Sequence, residues 1–265
     1  MSPTTMLSEA QQVIGRRWRE GQPPEEARIL GLARDALDFI SATGQGYTFE
    51  DFRARRGSSD FSQAPGEDGS TGLRELLSQA ERFFGRLLTD TEVSGEEAPI
   101  QLILDVLQFI SSTRQHEAFG DFINHVESRA PPFIVASFET QAEAEAWLEN
   151  HPSPPAFADV LIGDSYHDVV YERETDFRRL PWNRDLHRYL AWLERVEPPV
   201  ASVSFATREE AEDWLARQSH PARRAWVMIA DDLYLAAYYP NINHRALYPL
   251  SMAERGEGET DAPAV

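Results

Sequence analysis

Ala136-Ser-Phe-Glu-Thr-Gln-Ala-Glu-Ala-Glu-Ala-Trp147-Leu148 returns 67 residues later as Val203-Ser-Phe-Ala-Thr-Arg-Glu-Glu-Ala-Glu-Asp-Trp214-Leu215. Recurrence at a fixed spacing marks two copies of one supersecondary unit. In each copy a Thr is followed three residues on by Glu, at Thr140 and Glu143 and again at Thr207 and Glu210. That is a capping box, in which each side chain satisfies an otherwise unbonded amide of the first helical turn, and it predicts a helix start at the same point of both copies. The β-branched and aromatic run Phe133 to Phe138 predicts a short strand before the first of these helices. The helices run to about Asn150 and Gln218. Ala144 and Ala211, one turn before Trp147-Leu148 and Trp214-Leu215, leave room for each helix to lie on a sheet.

Beyond each helix, Val160-Leu161-Ile162 and Val227-Met228-Ile229 read as strands followed by Asp-bearing turns, Gly163-Asp164-Ser165 and Ala230-Asp231-Asp232. Return strands follow at Tyr166 to Glu172 and Tyr234 to Tyr239, and both copies then reach Arg-x-Leu, at Arg178-Arg-Leu180 and Arg245-Ala-Leu247. The predicted module is β-α-β-β, at 133–180 and 200–250, with a helix over Asn183 to Val196 between the copies. Two such modules predict an α+β domain over 131–252 with about six strands covered by helices.

Upstream, the period is helical. Apolar residues space as helix faces from Met6 to Glu20 and from Ala27 to Ile40, and Thr48 is a candidate N-cap for a third helix carrying Phe49 and Phe52. The pattern repeats at an offset of 70: Val13-Ile14-Gly15-Arg16 matches Phe83-Phe84-Gly85-Arg86, and Leu37, Phe39, Ile40, Ser41 and Thr43 match Leu107, Phe109, Ile110, Ser111 and Thr113. Phe49, Asp51 and Phe52 match Phe119, Asp121 and Phe122. Residues 1–56 and 71–126 therefore read as two three-helix repeats. Each is too small to bury much alone, so they are expected to pack together as an all-α domain over 1–130, with 57–70 as a flexible linker of turn-forming composition. Residues 253–265 read as a disordered acidic tail.

All 25 basic residues are Arg, no Cys is present, and 44 acidic residues bring the net charge to −19. Without Cys, disulfides, thiolate catalysis and Cys-based metal sites are excluded. The all-Arg usage fits a GC-rich bacterial genome. The charge is shared: residues 1 to 130 hold 21 acids and 13 Arg, residues 131 to 265 hold 23 acids and 12 Arg. Such a surface repels nucleic acid and anionic lipid and attracts cationic proteins; it also serves solubility alone. The N-terminus lacks the basic and apolar regions of a signal peptide, and the apolar run Ile100 to Ile110 is too short to cross a bilayer, so a cytoplasmic protein is expected.

No nucleophile elbow, P-loop, dinucleotide fingerprint or His-Glu-x-x-His occurs. No catalytic, cofactor-binding or metal-ligating residue is assigned. The densest acid cluster, Asp159, Asp164, His167 and Asp168, recurs only in part, since Leu235 and Ala236 stand where His167 and Asp168 are expected. Asp35 and Asp105 read as solvated or Arg-paired, and His116 and His125 as surface residues. The candidate partner-binding surface joins Glu143, Glu145, Glu149, Asp164 and Tyr166 of the first module to Glu209, Glu212, Asp213, Asp231, Asp232 and Tyr234 of the second. Carboxylates would steer an Arg- or Lys-rich partner and Tyr would supply contact area. The expectation is a non-enzymatic protein that binds a basic protein, most concretely an immunity or inhibitor protein. A scaffold component of a bacterial or phage-derived assembly is the alternative, and a hydrolase built on Asp164, His167 and Asp168 the last choice.

Overall fold

The computed structural model describes residues 3–18, 21–56, 71–89 and 95–253, and the chain divides into two compact units, residues 1–124 and 125–265. The architecture is mixed α+β, with helices in the N-terminal part and several small sheets in the C-terminal part. The expected linker 57–70 and the acidic tail from residue 254 lie outside the described residues.

The first unit is built from α1 (Pro3–Arg17), α2 (Pro24–Ala42), α3 (Gly46–Arg56), α4 (Thr71–Thr89), α5 (Glu97–Ser112) and most of α6 (His116–Glu127), whose last residues, from His125, belong to the second unit. Pro24 opens α2 where no amide partner is needed, Glu25 and Glu26 oppose the positive end of the helix dipole, and Ile29, Leu30, Ala33, Ala36, Leu37 and Ile40 are buried. α2 ends where the Thr43 hydroxyl donates to Phe39 O at 2.5 Å and Gly44 turns left-handed at φ 65°. α5 ends likewise, with Thr113 on Phe109 O at 2.6 Å and Arg114 at φ 60°. α3 begins at Gly46, so Thr48 lies inside its first turn and does not cap it. The amide of Phe49 bonds Gln45 O, and the Gln45 amide side chain holds Thr43.

The helices interleave. α1 packs on α5 as well as on α2, and α4 on α2 as well as on α5. The rings exchange in the same way: Phe39 meets Phe119 and Phe122 at 5.4 and 5.6 Å, while Phe109 meets Phe49 and Phe52 at 5.6 and 5.3 Å. Each such pair adds about 1 kcal/mol beyond the area it buries. Asp105, buried in α5, accepts from Arg53 Nε at 2.9 Å and Gln101 Nε2 at 2.8 Å, an Arg-paired structural role.

In the second unit, β1 (Ile134–Phe138), α7 (Gln141–Asn150) and β2 (Asp159–Ile162) place β1 parallel to β2, and β3 (Ser165–Asp168) returns antiparallel. β4 (Val170–Glu172) and β5 (Phe177–Arg179) form a separate two-stranded sheet. After α8 (Asp185–Val196), β6 (Val203–Phe205), α9 (Arg208–Arg217), β7 (Arg224–Ile229), β8 (Asp232–Tyr239) and β9 (His244–Pro249) make a four-stranded sheet in the order β6-β7-β8-β9. Nine strands in three sheets, among the described residues, replace the expected six: the Arg-x-Leu segments are themselves strands, and the first return strand is broken at Val169. Thr140 and Thr207 accept from the amides of Glu143 and Glu210, as the capping pattern predicts, each contributing about 1 kcal/mol.

Each module presses one helix onto one sheet face. Ala144 and Leu148 of α7 cover Val160, Val169 and Leu180; Ala211 and Leu215 of α9 cover Val227, Ile229 and Leu247. Trp147 and Trp214 finish the seam against Phe138 and Phe205 at 5.2 and 5.4 Å. The other faces share a central core in which Leu161 and Tyr166 meet Trp226, Leu235, Tyr239 and Tyr248, closed by Leu186, Leu190 and Leu193 of α8.

The recurring Arg has a capping role. Arg178 donates to the carbonyls of Leu148, Glu149 and His151 at 2.6, 2.8 and 2.9 Å, at the C-terminus of α7, and lies 5.4 Å over the Tyr171 ring. Arg245 reaches Gln218 O, at the end of α9, and lies 4.9 Å over Tyr238. A cation there opposes the negative end of the helix dipole. His125, expected at the surface, is only 3% exposed: Nε2 bonds Pro131 O at 2.7 Å and the ring lies against Phe133 and Tyr239. Burial pushes the imidazole down to about 4.

Candidate functional site

Hairpin register decides which residues correspond between the modules. Ile162 faces Ser165 across the first turn and Ile229 faces Asp232 across the second. His167 therefore corresponds to Tyr234 and Asp168 to Leu235, one residue earlier in the second module than the sequence comparison put them. Side chains alternate along a strand, so this one-residue correction exchanges the faces.

On the inward face, Asp159 stands opposite Asp168 across β2 and β3. The same register of the second module holds Trp226 opposite Leu235. Both carboxylates accept from one group: Asn183 Nδ2 lies 2.8 Å from Asp159 Oδ1 and 2.8 Å from Asp168 Oδ1. Backbone bonds fix Asn183 there, since its amide donates to Tyr166 O and the Asp168 amide donates to Pro181 O, both at 2.9 Å. Asn183 Oδ1 in turn accepts the Asp185 amide at the start of α8. Burial, then the Asp185 charge, pushes the Asp159 carboxyl up to about 7. Trp182, 46% exposed, borders this group with Arg184 over its ring and His187 at its edge.

The cluster read from sequence is thus divided. Asp159 and Asp168 meet, Asp164 sits at the opposite end of the hairpin, and His167 turns Nδ1 to Leu180 O at 3.0 Å. That separation does not build an acid/base set from Asp164, His167 and Asp168. Asn183 and Asp185 belong to the carboxylate group and carry no motif; the signal open to sequence reading was an Asn two residues ahead of a helix.

Of the candidate partner-binding residues, Glu143, Glu145, Glu149, Asp164, Glu209, Glu212, Asp213, Asp231 and Asp232 are exposed, and Tyr234 is half-buried against the α9 side of its sheet. Tyr166 is a correction. It is 1% exposed, its hydroxyl donating to Pro132 O at 3.0 Å and lying 2.5 Å from that of Tyr239, which in turn meets the Tyr248 hydroxyl at 3.1 Å. Burial drives the Tyr166 phenol well above its ordinary range, so it remains neutral. Both faces of its strand are covered, which alternation alone does not reveal.

Two of these acids converge. Arg208 Nη2 bonds Asp164 at 3.1 Å and Arg208 Nε bonds Glu212 at 2.7 Å, joining the first hairpin tip to α9. Glu143 is occupied locally, accepting the amides of Glu139 and Thr140, and Glu145 accepts from Gln141. Glu145 and Glu149 also rim a groove of about 510 Å³ floored by Leu148 and Leu180 and bounded by Arg178 and Arg179. Among the described residues no group of three or more His, Asp or Glu is arranged to hold a metal ion, and no helix is long and apolar enough to cross a membrane. Compared with known proteins, the chain matches no family model, no curated protein and no solved structure.

Proposed function

We propose that the chain is a non-enzymatic, acidic protein-binding module, most concretely a cytoplasmic immunity or inhibitor protein that neutralises a basic toxin or effector. The observation that carries this reading is the junction at Arg208, which draws the first module's turn acid, Asp164, to the acidic helix of the second. With Glu209 and Asp213 exposed on that helix and a net charge of −19 behind them, a cationic surface would be steered to this side of the unit. The test is capture of one basic protein at low salt, with affinity falling steeply as salt rises. Combined Glu209→Gln and Asp213→Asn, which leave the Arg208 junction intact, should weaken it about tenfold. Absence of any partner at low salt removes the proposal.

A scaffold role has one observation in its favour. Tyr189, Trp192 and Val196 align along α8, with Trp192 39% and Val196 49% exposed, an apolar stripe suited to a repeated neighbour. It predicts a mass in light scattering that rises above 30.0 kDa with concentration. We also read both units as internal duplications. The exchanged Phe contacts of the first unit and the paired helix-capping Arg of the second support this, because both recur at the sequence offsets.

A further inference from the structure

We propose that Asp159, Asp168 and Asn183 form a proton-dependent latch that holds the Pro181-Trp182-Asn183 segment, and with it the start of α8, against β3. The geometry is a shared amide. Asn183 Nδ2 offers one hydrogen to each carboxylate, at 2.8 Å in both cases, and one neutral amide cannot offset two negative charges. Protonated, Asp159 can donate toward Asp168 while the amide still bonds both. Ionised, the two carboxylates repel beneath a segment that two backbone bonds, Asp168 N to Pro181 O and Asn183 N to Tyr166 O, tie to β3. Lifting the segment from β3 admits water to both carboxylates and so stabilises their charge, and it takes Asn183, and the amide of Asp185 bonded to it, along.

Burial and the neighbouring acids raise the Asp159 carboxyl, and the Asn183 bond opposes them in part. Asp168 lies across the hairpin, and Asp185, paired with Arg188 at 3.2 Å, adds a like charge from α8. From the same inward face of β3 Tyr166 contributes a neutral phenol, Arg184 lies over the Trp182 ring and His187 against that ring's edge, and His167 belongs to the opposite face of β3. β1 faces Asp159 with Ile134, which carries no charge. Burial first, and then the Asp185 charge, lifts the carboxyl to about 7 from its ordinary 3.8. An acid raised in the closed state holds a proton that the open state gives up. The latch is therefore strongest in acid, weakens as pH climbs from near 4 to near 7, and changes little above that.

Amide hydrogen exchange on the full chain reads the latch directly, at Asp168 and Asn183, after correction for the intrinsic rate. Protection at both amides should fall roughly tenfold or more from about pH 5 to about pH 8. In Asp159→Asn, whose amide supplies the donor without a titrating proton, protection at both should stay level. The Tyr238 amide, bonded to Arg223 O in the second module, should stay level in both proteins. Equal pH dependence in the two proteins, or none in the unaltered chain, overturns the latch. Should Asp159→Asn fail to fold, carboxyl-carbon NMR of the unaltered chain decides: an Asp159 midpoint near 7 supports it, and one near 4 overturns it.

Discussion

The first module sets Asp159 opposite Asp168, and the second sets Trp226 opposite Leu235 at the same register. The difference begins one strand further on. In the second module Leu235 pairs with Tyr248, and β8 and β9 stay bonded from Tyr234 to Tyr239, so Trp226 and Leu235 are sealed in the core. In the first, the residue at the place of Tyr248 is Pro181. It accepts from the Asp168 amide but has no N–H to return, so the ladder stops and β4 and β5 separate as their own sheet. The interruption leaves a half-exposed edge where Asn183 and two carboxylates take the place of Trp and Leu. A similar β-α-β frame thus closes a hydrophobic core in one module and holds a titratable group in the other.

Moving the acid across breaks this comparison most severely. Trp226→Asp should cost about 5 kcal/mol or more in urea unfolding, since it removes a core aromatic and buries a carboxylate with no amide in the place of Asn183. A loss below about 1 kcal/mol would mean that the second module tolerates an acid there and that the interrupted ladder is not what separates the two modules.

The capping Arg gives the next contrast. Arg178 is 19% exposed and serves three carbonyls, whereas Arg245 bonds Gln218 O at 3.4 Å. Arg178→Ala should lose about 2–3 kcal/mol and Arg245→Ala less than about 1, because charge-assisted bonds at a helix end are worth more when several converge. Equal losses would show that stacking on Tyr171 and Tyr238, common to both, carries the effect instead of the carbonyls.

Local chemistry was legible in the sequence. Thr140 with Glu143, the Trp and Phe seams, and the paired Phe sets of the helical unit depend on neighbours three or four residues away or on side-chain type. What was not legible depends on segments far apart in the chain. Tyr166 looks like a surface Tyr until the second sheet covers it. His125 looks like a solvated helix end until Phe133 and Tyr239 close over it. Asn183 acquires its role only because Pro181 brings the chain back along β3. The Arg-x-Leu recurrence was visible, but its cause, a helix end 27 or more residues upstream, was not. Alignment of the return strands by residue type slipped by one position, and in a strand one position is the difference between the α9 face and the core.

The smallest contrast lies in the two hairpin turns and has opposite signs in the two modules. Gly163 enters its turn at φ 59°, and an added Cβ there would meet nothing within 4 Å. In the second turn Ala230 and Asp231 are both left-handed, at φ 49° and φ 71°. Two successive positive φ angles match the right-handed twist of flanking strands, which is why such turns favour Asn, Asp and Gly, but Ala has no side-chain bond to offset the strain of its Cβ. Ala230→Gly should therefore gain about 0.5 kcal/mol, the relief of strain outweighing the greater freedom of the unfolded chain, and Gly163→Ala should lose about 1 kcal/mol. Chemical unfolding of the two variants side by side resolves the sign. A loss from Ala230→Gly would mean that the Ala turn is held by its strands alone, and the two hairpins would then differ in their acids and their ladders but not in their turns.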